Sequence, residues 1–292
     1  ATLRFPQLGW RVIRVEAVTS GRGNPGDPNR YIGSKVADED RHSYFIAPNV
    51  GKEAIALNLK EKEGQEALKR IIKELDVDIF CCNTVPSRYE SLGIDYETLK
   101  KINPRIVYAS ISGFGASGPE RDYVAYGANI EASSGLAAGT GYHDDDTPYR
   151  ANTFYADPIT GNYATIAILI ALLEREASGE GQWVHTSLLE AMIAMLDFQA
   201  ARSLVAGDVP QQAGNDHPTS IPTGVFKTKD GHMNIAAAGD VMWDRLCEVL
   251  DAPDMHDHPD FCNGAQRSIN RNGVNAAIET YTIDKTSGEW IE

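Results

Sequence analysis

Cysteine is scarce: the 292-residue chain has four (Cys81, Cys82, Cys247 and Cys262), two of them adjacent. That is too few for a disulfide framework in a chain of this size, and it points to a reducing, cytoplasmic setting. No uninterrupted apolar run reaches the ~18 residues of a membrane span. The first residues also lack the charged-then-apolar pattern of a signal peptide, so no membrane association is expected. Basic residues are in deficit as well. Against 27 Lys and Arg stand 41 Asp and Glu, a net charge of −14, which disfavours nucleic acid and anionic lipid as partners. Any anionic ligand must be held by local basic side chains and backbone amides. What remains is ordinary globular composition, 42% hydrophobic and 23% charged with 26 Gly and 14 Pro. It excludes disorder, collagen-like repeats and a coiled coil. The length allows one large domain or two modest ones.

Alternation predicts strands at Arg11–Glu16, Ala54–Leu59, Asp78–Cys82, Arg105–Ser112 and Gln182–Ser187. Between them, a 3.6-residue stripe of Ala67, Leu68, Ile71, Ile72 and Leu75 predicts a helix over Glu63–Leu75, and a short one follows at Tyr96–Lys101. Strands alternating with helices imply βαβ units and a mainly parallel sheet. Further helices are expected over Tyr126–Leu136, Pro158–Ala177 and Leu188–Ala206. Thr19–Arg41 and 207–223, rich in Gly, Pro, Asn and Asp, read as loop and linker. A second unit follows, with strands near Gly224–Lys227 and Met233–Ala237 around an Asp230-Gly231 turn and helices near Met242–Leu250 and Ser268–Tyr281. The expected organisation is a Rossmann-like α/β domain over 1–206, a linker over 207–223 and a smaller α+β domain over 224–292. Residue 1 is Ala, and Thr286-Ser287-Gly288-Glu289 has the form of a capping box with three residues after it, so the natural chain is expected to extend at both ends.

Several motifs invite chemistry. Gly113-Phe114-Gly115-Ala116-Ser117-Gly118 matches the dinucleotide fingerprint and follows a strand, but no apolar helical stripe begins behind it, so it reads as a tight turn. His256, His258 and Cys262, with Cys247 nearby, lack the paired spacing of a zinc site, and no metal is expected. His185 lies in an apolar strand as a structural histidine. Ser110 and Ser112 have no nucleophile elbow around them. Asp157 stands immediately before Pro158 and a long apolar helix. Such a residue is a natural N-cap with Pro at the first helical position, yet a carboxylate held in a cleft is also a covalent nucleophile for acyl groups.

The surroundings of Asp157 resemble the class III CoA-transferases, the family of formyl-CoA and carnitine-CoA transferases. The matching segments run in order from Leu8-Gly9-Trp10 through Ala56-Leu57-Asn58-Leu59-Lys60, Asn83 with Pro86, and Leu92-Gly93. They continue through Asn103-Pro104-Arg105 to Ser110-Ile111-Ser112-Gly113-Phe114-Gly115, Ser134-Gly135, Asp157-Pro158 with Gly161, Gly179-Glu180-Gly181-Gln182, and Trp243. The resemblance spans essentially the whole chain. It implies a Rossmann-like domain with a small second domain, an interlocked homodimer, and CoA or acyl-CoA as substrate beside a small carboxylic acid, with no permanently bound cofactor. It also implies that Asp157 forms an aspartyl-acyl anhydride and then an aspartyl-CoA thioester. Leu57, Lys60 and Asn83 match CoA-contacting positions, and Tyr126 matches a tyrosine near the active site. Two positions depart from the family: Thr84 follows Asn83 where an aromatic or basic residue is usual, and Ser91 replaces an arginine for which the nearby Arg88 substitutes.

Four other functions compete with transfer. An α-methylacyl-CoA racemase shares the fold and the aspartate but pairs it with a histidine, and Tyr126 stands at that place. A tyrosine is a poor base at neutral pH, which favours transfer. An intramolecular transfer, formally an isomerisation, would use the same aspartate. A non-catalytic CoA-binding subunit would dispense with Asp157, and a nicotinamide dehydrogenase rests on the glycine turn alone.

Overall fold

Along Val107–Ser112 successive side chains point to opposite faces of a parallel sheet, and both faces are covered. Tyr108 packs with Leu68, Ile72 and Leu99 on one side; Val107 and Ala109 pack with Ile168 and Ala171 on the other. Each fully buried apolar side chain of this kind contributes about 1.5–3 kcal/mol. The molecule is described by a computed structural model covering residues 2–19, 23–143, 145 and 147–292.

The larger of two units comprises 1–136 with 150–200. Its strands are β1 (Ile13–Glu16), β2 (Glu53–Ala56), β3 (Ile79–Cys82), β4 (Val107–Ser112) and β5 (Trp183–Ser187). β1 pairs with β2, Ile13 opposite Glu53, while β3, β4 and β5 form a second sheet in that order, with Ile79 opposite Val107 and Tyr108 opposite Trp183. Every pairing is parallel, as the alternation of elements predicts. The helices of seven residues or more are α1 (Ser43–Asn49), α2 (Lys62–Glu74), α3 (Tyr96–Ile102), α4 (Gly127–Ser133), α5 (Ala156–Ser178), α6 (Leu188–Met195) and α7 (Phe198–Ala206), the last crossing the unit boundary. α2 and α3 cover one face of the central sheet and α5 the other.

α5 presents Ala156, Thr160, Ala164, Ile168, Ala171 and Arg175 as its buried stripe. It ends at Gly179, whose φ of 78° closes the helix with an N–H bond to the Arg175 carbonyl at 2.8 Å. Arg175 is held by the Asp78 carboxylate at 2.8 Å and the Arg105 carbonyl at 3.0 Å. By length and mean hydropathy (1.4) this helix could cross a bilayer, a possibility hidden from a search for uninterrupted apolar runs. In this fold it packs on β4 and β5 instead. Two other helices differ from expectation. Leu188–Ala206 divides into α6 and α7 because Asp197 takes a left-handed backbone, φ 46°. α4 stops at Ser133, two residues before Gly135 with φ 92°.

The smaller unit comprises 137–149 and 201–292. β6 (Thr223–Lys227) and β7 (His232–Ala236) pair antiparallel around Asp230-Gly231, with α8 (Asp240–Leu250) and α9 (Arg271–Thr282) packed on them. Phe226, Trp243, Cys247, Val274 and Ile278 form its core. Buried Arg267 bonds Asp240 at 2.6 Å and the Phe261 carbonyl at 2.8 Å. This division departs from the expected break at 206 and 224. Residues 137–149 and 201–223 join the smaller unit because the Gln212 amide donates to the carbonyls of Thr140 (3.2 Å) and Thr147 (2.9 Å), and the Gly214 N–H to that of Gly141 (2.7 Å). The capping box at Thr286 and Glu289 is formed and opens the helix Ser287–Ile291.

Candidate active site

Parallel strands send their carboxyl ends to one edge, and open α/β sheets bind ligands outside that edge. Leu57 and Lys60 follow β2 closely, Asn83 and Thr84 follow β3, and Gly113 follows β4. Gln65 on α2 ties two of these loops together, its amide donating to the carbonyls of Leu59 at 2.9 Å and Ser91 at 3.0 Å. Leu57 anchors its loop by packing into the same apolar cluster as Cys82. The Ser87 N–H bonds Asp122 at 3.0 Å, bringing the turn that holds Arg88 to the segment before Tyr126. On that segment Ala125 lies so close to Gly113 that a Cβ on the glycine would stand 2.3 Å from the alanine's.

Lys60, Asn83 and Arg88 are exposed, Thr84 partly so. Among the described residues neither Lys60 nor Arg88 is ion-paired, whereas Arg14 and Arg30 are bound to Glu16, Asp27 and Asp40. In a chain of net charge −14, two unpaired cations at the carboxyl edge are suited to phosphate.

Tyr126 is 72% exposed and occupies the N-cap position of α4. The next residue, Gly127, meets Asp157: a Cβ at Gly127 would lie 2.7 Å from Asp157 Oδ2. Asp157 is not the N-cap of its helix. α5 begins at Ala156 with Tyr155 in the cap position, so Asp157 is the second helical residue and Pro158 the third. Tyr155 makes no side-chain capping bond, its N–H goes to Glu131 on α4 at 3.1 Å, and the aspartate turns towards Gly127. Asp157 stays accessible to solvent. Crowding around its carboxyl raises its pKa, the charge of Glu131 raises it further, and its own backbone amide opposes both. Among the described residues no cation pairs with it, and a carboxylate with a raised pKa is a good nucleophile.

The other motifs settle into supporting roles. Ser112 Oγ lies 3.1 Å from His185 Nε2 and accepts the Gly115 N–H at 3.1 Å, fixing the glycine turn. Burial lowers the His185 pKa, with Glu190 opposing. No helix starts at that turn, so it builds no pyrophosphate seat. Ser110 accepts the Trp183 indole N–H at 2.7 Å. His256 is bound to Asp244 and Asp257, and His258 stacks on Phe261 at 4.2 Å. Among the described residues no three His, Cys, Asp or Glu side chains cluster as metal ligands. Gly127 and Glu131 were not singled out in the sequence, although their spacing of four on a helix after Tyr126 was the available signal.

The sequence profile of CoA-transferase family III matches residues 1–292. The chain belongs to that family. Among family III relatives, the acetyl-CoA:oxalate CoA-transferase of Acetobacter aceti is 32% identical over 100% of this chain and 72% of its own length. The succinyl-CoA:glutarate CoA-transferase of Mus musculus is 32% identical over 100% of this chain and 65% of its own. The chain thus spans about two thirds of the length of these relatives. A crystal structure of a CaiB/BaiF family protein from Brucella suis superposes with a TM-score of 0.80 and 32% identity, covering 97% of this chain and 73% of that one.

Proposed function

We propose that this family III protein transfers coenzyme A between small carboxylic acids with Asp157 as the covalent nucleophile. The observation that carries this reading is the placement of the Asp157 carboxyl. It does not cap its helix, pairs with no cation among the described residues, and lies accessible against the backbone of Gly127.

In the first step an Asp157 oxygen attacks the thioester carbonyl of the donor. The C–S bond breaks, its electron pair leaves with the CoA thiolate, and an aspartyl-acyl anhydride forms. The thiolate then attacks the Asp157 carbonyl of the anhydride, expelling the donor carboxylate and leaving an aspartyl-CoA thioester. An acceptor carboxylate attacks that thioester and displaces the thiolate. The thiolate takes the new acyl group from the anhydride and returns Asp157 as a carboxylate. The first acylation replaces the Asp157 anion by a neutral acyl group, so the crowding and the repulsion from Glu131 that raise the pKa are relieved as the bond forms.

Lys60 and Arg88 hold CoA phosphates, Leu57 supplies an apolar contact, and Asn83 and Thr84 offer hydrogen bonds at the same edge. Tyr126 borders the acyl group. A tyrosine here rather than a second base favours transfer over racemisation. The scheme needs no resident cofactor. A homodimer belongs to the same proposal on the family resemblance. The free thiols of all four cysteines support a cytoplasmic setting.

The test is peptide mapping by mass spectrometry of the full-length protein after succinyl-CoA and a hydroxylamine quench. A hydroxamate at Asp157 that disappears in Asp157→Ala is the expected result. An unmodified wild-type aspartate, with solvent deuterium entering the α-carbon of a 2-methylacyl-CoA, would replace transfer by racemisation.

A further inference from the structure

The scheme above leaves one buried acid without a role. Glu131 is 1% exposed and lies one turn after Gly127, so both face the start of α5. One of its oxygens accepts the Tyr155 N–H. The other, Oε2, is buried without a hydrogen-bond partner, and no Lys, Arg or His among the described residues pairs with the carboxyl. Such an oxygen is costly to bury. Holding the Tyr155 amide requires a single acceptor, which a glutamine would provide uncharged. The second oxygen and the charge therefore go beyond what the fold needs.

We propose that Glu131 is a positioning residue for Asp157: it fixes the first turn of α5 through Tyr155 and directs a negative charge at the Asp157 carboxylate that sustains its nucleophilicity. This rests on the covalent role of Asp157 proposed above. The raised pKa of Asp157, due first to burial and then to Glu131, agrees with it. Other titratable groups on elements packed against α5 are engaged elsewhere. On α6 Glu190 bonds Ser187 Oγ at 2.6 Å, and on β5 His185 bonds Ser112.

The experiment measures single-turnover CoA release from succinyl-CoA by the full-length protein between about pH 4 and 8, with hydroxylamine trapping at Asp157 and thermal melts alongside. In Glu131→Gln the acidic limb should move to lower pH. Its plateau should fall about threefold, because a carboxylate's reactivity follows its basicity, while the melt stays unchanged. Glu131→Ala, which also frees Tyr155, should lose roughly ten- to hundredfold, most of it recovered by glutamine. A Glu131→Gln profile that overlays wild type overturns the proposal. So does a wild-type limb at or below the ordinary aspartate value of about 3.9, a readout independent of how any variant folds. Absence of an Asp157 adduct in wild type overturns the covalent reading itself, and this inference with it.

Discussion

Gly127→Ala isolates the geometry of the site from the stability of the fold. The added Cβ would lie 2.7 Å from Asp157 Oδ2 and 3.7 Å from the Ala156 Cβ. The second distance is an ordinary contact. The first falls short of a relaxed carbon–oxygen approach of about 3.3 Å, so the carboxylate must retreat by about half an ångström. If a displacement of ~1 Å costs ~100-fold in rate, half of that costs about tenfold. Stability should hardly change. The yielding atom is the end of a side chain, Gly127 does not occupy the left-handed region, and alanine is favoured over glycine in a helix by up to about 1 kcal/mol. The assay is CoA release from succinyl-CoA in the full-length protein, with the hydroxamate at Asp157 quantified and a melt recorded. The expected pattern is a roughly tenfold slower adduct at an equal or slightly higher melting temperature. Wild-type kinetics at an unchanged melt would refute the claim that the Gly127 contact sets the Asp157 carboxylate. Slow kinetics with an early melt would locate the damage in the fold instead.

Lys60→Ala and Arg88→Ala should each raise KM for the acyl-CoA about three- to tenfold and leave single-turnover chemistry intact, since exposed cations contribute modest, screened attraction. Wild-type KM in both variants at low salt would remove them from the phosphate site. Asp157→Asn should melt above wild type at pH 7. With its pKa raised in the folded state, Asp157 contributes stability below the ordinary aspartate value and loses it as pH rises through the folded value, leaving the anion a net cost. The gap should close towards pH ~4, near the ordinary aspartate value; an asparagine variant that melts with or below wild type at pH 7 would contradict the assigned direction.

The alternating strands and helices of the larger unit were legible because parallel βαβ packing imposes local periods of two and 3.6. β3, β4 and β5 fall within their expected spans. The segment over 19–42 was not legible beyond its loop character. The fold of residues 23–42 comes from side chains far apart in sequence: Arg30 bonds both oxygens of Glu16 at 2.8 Å and lies 4.0 Å over the Phe45 ring. Asp197 breaks an apolar helical run by its backbone conformation alone, which no hydrophobic pattern encodes. For the same reason the union of 137–149 with the smaller unit depends on Gln212, more than sixty residues away.

At the site, Asp157 was visible as a carboxylate before proline at the head of an apolar helix, and local rules made it the cap. In the structure Tyr155 takes the cap position without a side-chain capping bond, and its own N–H goes to Glu131. Had capping been all this position required, an aspartate at the cap would have accepted a first-turn N–H, a side-chain bond that the start of α5 lacks, while α4 carries a buried carboxyl with an unpartnered oxygen. Breaking a local preference and adding a buried charge where one acceptor would do is expected at a site where reactivity matters. The division separates the group that fixes the helix start from the group that reacts. It leaves the Asp157 carboxylate accessible, bonded to its own backbone amide, and held against a glycine that cannot push it away.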